Sequence, residues 1–150
     1  MKKTISAILV ITLLLALVGC GSAEPQSVTL LYEENGVIIE YTLDALGDKC
    51  QKLTQTTTMD CAGWPEEQIQ IIEDAVAEYS SIYEQYEGVT YTTKIDGTTF
   101  SEILVLDISD AELVNSLSDA GLLPVDGDAK YISLKQTVEN LTAQGWTVKE

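Results

Sequence analysis

Cys50 and Cys61 are the natural nucleophiles in the body of this sequence, and the residues that would normally activate them are missing. The chain has no histidine and no arginine. That removes Ser-His-Asp and Cys-His catalysis, imidazole metal ligands and the bidentate fork that grips carboxylates and phosphates. Lys49 and Lys52 flank Cys50 and could lower its thiol pKa. An export signal would permit a disulfide between the two cysteines. If residues 49 to 59 form one strand, however, the pair stands some 30 Å apart or more at roughly 3.3 Å per residue, and a disulfide needs Cα atoms within about 7 Å. The strand reading leaves two free thiols, and the alternatives exclude each other.

Cys20 is a different case. It ends the run Leu17-Val18-Gly19-Cys20, behind an uncharged apolar stretch from Ile5 to Val18 and the cationic pair Lys2-Lys3. The stretch is shorter than the roughly 20 apolar residues that cross a bilayer, and its flanks are those of a cleavable export signal. A small residue and then cysteine at its end looks like a lipobox. The expectation is cleavage between Gly19 and Cys20 with a diacylglycerol on the Cys20 sulfur, since two acyl chains anchor stably where one does not. Residues 1–19 are then a lipoprotein signal, 20–27 a lipidated cysteine and flexible tether broken by Pro25, and 28–150 a single domain on the outer face of the cell membrane.

Other candidate chemistry is thin. Asp126-Gly127-Asp128 resembles a fragment of a calcium loop, but the twelfth position is Thr137 where a glutamate is required, so a polar turn is the reading. Asp96 and Asp107 fit a turn and a strand end. Asn140-Leu141-Thr142 fits a glycosylation sequon but falls inside an expected helix. No catalytic residue, metal or cofactor is expected. Two of the eight lysines lie in the signal and all 24 acidic residues lie beyond it, so the mature chain carries a net charge of −18. Such a surface repels phosphates, which argues against nucleic acid and suits solubility, cation attraction or a basic partner.

The elements that would position these residues follow from hydrophobic periodicity. Val28–Glu33, Val37–Leu43 and Lys49–Met59 read as a three-stranded meander, turned at Asn35-Gly36 and Gly47-Asp48. Pro65, Glu66 and Glu67 open a helix. Its apolar stripe is Ile69, Ile72, Val76, Tyr79, Tyr83 and Tyr86, and Gly88 is the expected cap. The three tyrosines are either a stacking platform or core with hydroxyls at the rim. Val89–Ile95 and Thr98–Ile108 form a hairpin about Asp96-Gly97. The apolar run Ile103–Leu106 suggests a central strand partly covered on both faces. Ser109 with Glu112, and Ser133 with Gln136, look like capping boxes of two further helices. The second carries Leu134, Val138 and Leu141 and ends at Gly145, before Trp146. The order βββ-α-ββ-α-α is α+β: an antiparallel sheet of five to six strands with helices packed on it.

Three features in this order are similar to the YehR-like bacterial lipoproteins: the Gly47-Asp48-Lys49 turn into a Thr/Gln-rich strand, the Tyr79/Ile82 to Gly88-Val89-Tyr91 junction, and the Ser133-Leu134 to Gly145-Trp146 helix. The lipobox in front completes the likeness. The resemblance implies one α+β domain on a membrane tether and no known activity or site residues. The functional expectation is a non-catalytic envelope module that binds a partner protein or envelope component, with small-ligand or cation capture as the alternative.

Overall fold

The computed structural model describes residues 23–125 and 130–149. Six antiparallel strands form one sheet: β1 (Pro25–Glu34), β2 (Val37–Leu46), β3 (Lys49–Asp60), β4 (Val89–Asp96), β5 (Thr99–Asp107) and β6 (Thr147–Val148). Their order across the sheet is β4-β5-β3-β2-β1-β6. Among the described residues there are also three helices: α1 (Glu66–Tyr83), α2 (Ala111–Asp119) and α3 (Leu134–Ala143). The architecture is the α+β sheet expected. β6 is the addition, two residues that pair with Leu30 and Leu31 of β1.

Alternation makes the sheet two-faced. Leu30, Leu43, Leu53, Leu104 and Leu106 point to one face and are buried there, with Val114 and Leu117 of α2 and Leu134 of α3 packed in the same core. Thr42, Thr54, Thr56, Thr58, Thr90 and Thr92 point to the other, where no residue is fully buried. An antiparallel sheet can leave one face to water, and this one does. β5 is interior, as its apolar run suggests. It is covered on one face only, because Ile103 projects from the threonine face and stays 40% exposed.

Several local readings are corrected. Pro25, Gln26 and Ser27, read as tether, pair with Leu46, Ala45 and Asp44 of β2, and the Gly47 N–H bonds the Glu24 carbonyl at 2.8 Å. The domain therefore begins earlier than residue 28. α1 stops at Tyr83, so Gly88 does not cap it and Tyr86 lies in the following loop. α2 is capped by Asp110, whose carboxylate accepts the Glu112 N–H, while Ser109 instead donates to Asp107. Ser133 does cap α3, accepting the Gln136 N–H. α3 ends as expected: the Trp146 N–H bonds the Leu141 carbonyl and the Gly145 N–H that of Thr142. This Schellman closure requires the left-handed backbone found at Gly145, φ 98°.

Candidate functional site

β3 carries both internal cysteines and keeps them apart. Cys50 is its second residue and Cys61 follows its last, and both thiols are free. Asp44 faces Lys52 while Ala45 faces Cys50, so Gln51 is an extra residue in the ladder. The bulge turns Cys50 onto the core face, where it is fully buried. Burial, and then the charge of Asp48, push its thiol up to about 11. The flanking lysines do not activate it: Lys52 is on the opposite face, bound to Asp44 at 2.7 Å. Gly19, Cys20 and the Asp126-Gly127-Asp128 turn lie outside the described residues. Asp96 accepts from Lys94 at the β4 end, and Asp107 accepts from the Ser109 backbone after β5. Asn140 is inside α3. Among the described residues no group of three or more His, Cys, Asp or Glu side chains is placed to hold a metal ion.

What the fold does build is a groove beneath α1. An amphipathic helix normally buries a continuous apolar stripe. α1 is 18 residues long and buries only Tyr83 fully. Ile69, Ile72, Ala75 and Val76 remain partly accessible, and Tyr79 is 46% exposed. The helix lies over β4 and β5 on the core face without closing against them along its length.

At the groove's upper end Ile69 and Ile72 of α1, Ile95 of β4, Phe100 of β5, and Cys61 with Trp64 line an apolar cavity of about 190 Å³. Trp64 is 37% and Ile95 52% exposed at its mouth, with Ile71 standing free on the outer side of the helix. Burial of such surface is worth about 25 cal/mol per Å², so a filled cavity is favoured over an open one.

Towards the lower end the chemistry changes. Glu102 projects from the same face of β5 as Phe100, Leu104 and Leu106, with Thr57 and Thr93 opposite it on the adjoining strands. It is half-buried, and the Tyr91 hydroxyl donates to it at 3.2 Å. The Tyr91 ring packs on Tyr83, centroids 5.1 Å apart, and Tyr83 stacks with Tyr79 at 6.2 Å. Burial raises the Glu102 pKa, against the opposing effect of the Tyr91 hydrogen bond. Burial first, and then the Glu102 charge, raise Tyr91 and Tyr83. At neutral pH these phenols hold their protons, and the Tyr91 hydroxyl uses its proton in the bond to Glu102. On the far side Trp146 packs on Tyr41 and Tyr32, at 4.6 and 5.3 Å. Of the two readings of the tyrosine stripe, the structure gives core with an edge at the rim: Tyr83 is buried, Tyr79 is 46% exposed, and Tyr86 lies beyond the helix.

Sequence reasoning found the stripe but not Glu102. Its signal was available in the alternation of β5, which places one carboxylate among Phe100, Leu104 and Leu106.

A family model described as a protein of unknown function (DUF1307) matches residues 26–147. Among solved structures the chain is similar to the NMR structure of the YehR protein of E. coli, at 23% identity over 86% of this chain and 93% of that one, with a TM-score of 0.61. It is also similar to the NMR structure of a protein from Streptococcus pneumoniae TIGR4, at 14% identity over 99% of this chain and 96% of that one, TM-score 0.61. At these identities the likeness concerns the fold. No curated protein matches the chain.

Proposed function

Since the chain belongs to the DUF1307 family of proteins of unknown function, its role has to come from its own geometry, and we propose that it is a non-catalytic binding module of the cell envelope, held outside the cytoplasm by a lipid on Cys20, which captures an envelope component in the groove beneath α1. The observation that carries this reading is the incomplete burial of α1: an 18-residue helix with one fully buried side chain over an apolar cavity. Stripes of that kind are ordinarily covered by something.

The placement of the groove supports a tether at the other end. β1 starts beside Gly47, while the cavity lies beside Cys61 and Gly97, at the opposite ends of the strands. A ten-residue strand is about 33 Å long. Three residues lie between Cys20 and Glu24, whose carbonyl is paired, and the four steps reach at most about 14 Å. A lipid at Cys20 would therefore hold the Gly47 end near the bilayer and turn the cavity outward. Among the described residues no helix is long and apolar enough to cross a membrane. A catalytic role is disfavoured because the groove offers one carboxylate, protonated phenols and the Cys61 thiol, with no histidine or arginine in the chain to activate them.

A photoreactive residue at position 69, introduced in the native cells, tests the groove, with position 56 on the threonine face as control. The expected result is a discrete adduct from position 69 and none from position 56. Equal labelling at both, or none at position 69, would contradict the reading.

A further inference from the structure

Phe100, which lines the cavity, and Glu102 are one pleat apart on the same strand face, about 7 Å, so a carboxylate follows directly on the hydrocarbon wall along β5. The apolar end holds about 190 Å³, room for roughly six groups of water size at about 30 Å³ each. Among the described residues no lysine pairs with the carboxylate at the other end. The four ion pairs among the described residues involve Lys52, Lys94, Lys135 and Lys149, and Glu102 is in none of them. Its cross-strand neighbours on this face are threonines, and Lys52 and Lys94 point from the other face. A half-buried carboxylate with a single phenol donor, Tyr91, is poorly compensated. The Tyr91 ring lies beside it and packs on Tyr83, which stacks in turn on the half-exposed Tyr79, and the negative potential of aromatic ring faces favours a cation further. Carboxylate and rings together select one sign of charge, and the cavity next to them selects an apolar body.

We infer that the groove binds an amphipathic organic cation, with an alkyl or aryl body between Ile72 and Phe100 and an ammonium group at Glu102 against the tyrosine rings. The inference rests on the groove being a binding site, as proposed above, and specifies the chemistry of the occupant. A metal ion does not fit as well, because one carboxylate with neutral phenols offers too few oxygen ligands for a hard cation. An anion is opposed by Glu102 itself.

Calorimetric titration of the full chain, held in an uncharged steroid-glycoside detergent that lacks an alkyl chain, tests this directly. The probes are hexyltrimethylammonium, hexanol, hexanoate and tetramethylammonium, all kept below any aggregation threshold. Hexyltrimethylammonium is expected to bind one site at least tenfold more tightly than hexanol or tetramethylammonium, and hexanoate not to saturate. Glu102→Gln, which removes an undercompensated charge and keeps the shape, is expected to leave the thermal midpoint equal or higher. It should weaken the cation about tenfold, to the level of hexanol, and leave hexanol unchanged. Equal binding of hexanol or hexanoate and the cation, or a Glu102→Gln variant that binds the cation as tightly as the wild type, would overturn the inference while leaving an apolar groove. Failure of all four probes with position 69 still crosslinking would also overturn it, and would assign the groove an occupant of other chemistry. Failure of probes and crosslinking together would remove both proposals.

Discussion

A thiol's reactivity follows its thiolate fraction and its exposure, and the two free cysteines among the described residues differ in exposure. Cys50 is buried by the bulge at Gln51, with its pKa raised to about 11. Cys61 lies partly exposed at the cavity mouth. Treatment of the folded protein with iodoacetamide at pH 8 should therefore modify Cys61 and spare Cys50, which reacts only on unfolding; mass mapping of the two peptides that carry them reads the order. Modification of Cys50 first, or of both at one rate, would contradict the burial assigned here. The separation of the two sulfurs was legible once residues 49 to 59 were read as one strand. The direction in which Cys50 points was not, because a single inserted residue reverses every side chain beyond it, and nothing in Lys49-Cys50-Gln51-Lys52 announces a bulge. Glu102 is the converse case: its face follows from alternation, but its meaning depends on α1 and on Tyr91, which arrive from elsewhere in the chain.

Elements were easier to read than their ends. The turns at Asn35-Gly36 and Gly47-Asp48, the stripe of α1 and the Ser133 cap follow from local chemistry, and the structure places them accordingly. The ends that moved were settled by tertiary pairing. Pro25–Ser27 become strand because β2 extends to Leu46 and supplies partners, and Thr147–Val148 become strand because the Gly145 closure delivers them to the β1 edge. Asp48 is the junction of two elements. Its carboxylate accepts the Lys135 N–H at 2.8 Å and the Ser133 hydroxyl at 2.7 Å, while its carbonyl accepts the Leu134 N–H. Those bonds, the Lys135 backbone first, hold its pKa below the ordinary carboxylate value of 3.8. A carboxylate so depressed stabilises the fold above the unfolded value and loses that contribution as pH falls through the folded one. Asp48→Asn is accordingly expected to lower the thermal midpoint at pH 7, and the difference should close as pH drops below about 3.8. A difference that stays constant across that range would mean the charge plays no part.

At the scale of the whole molecule the fold is asymmetric in two directions. Helices cover one sheet face and threonines the other, and the chain's paired start and the groove sit at opposite ends of the strands. The first asymmetry was half legible: the Thr/Gln-rich run of β3 indicated a strand, but the run Ile103–Leu106 suggested cover on both faces, since a mixed apolar run does not say which of its residues is exposed. The second could not be read at all, because it depends on strand order. It gives the account its central claim, a binding groove carried outward on a lipid-held domain. The net charge of −18 on residues 20–150, which repels anionic headgroups, is consistent with such an outward posture. Intact-mass and N-terminal peptide spectrometry of the protein from its native cells tests that claim most directly. The account predicts an N-terminal Cys20 carrying a diacylglyceryl group; a chain that still begins at Met1, or a Cys20 thiol without fatty acid, would contradict it.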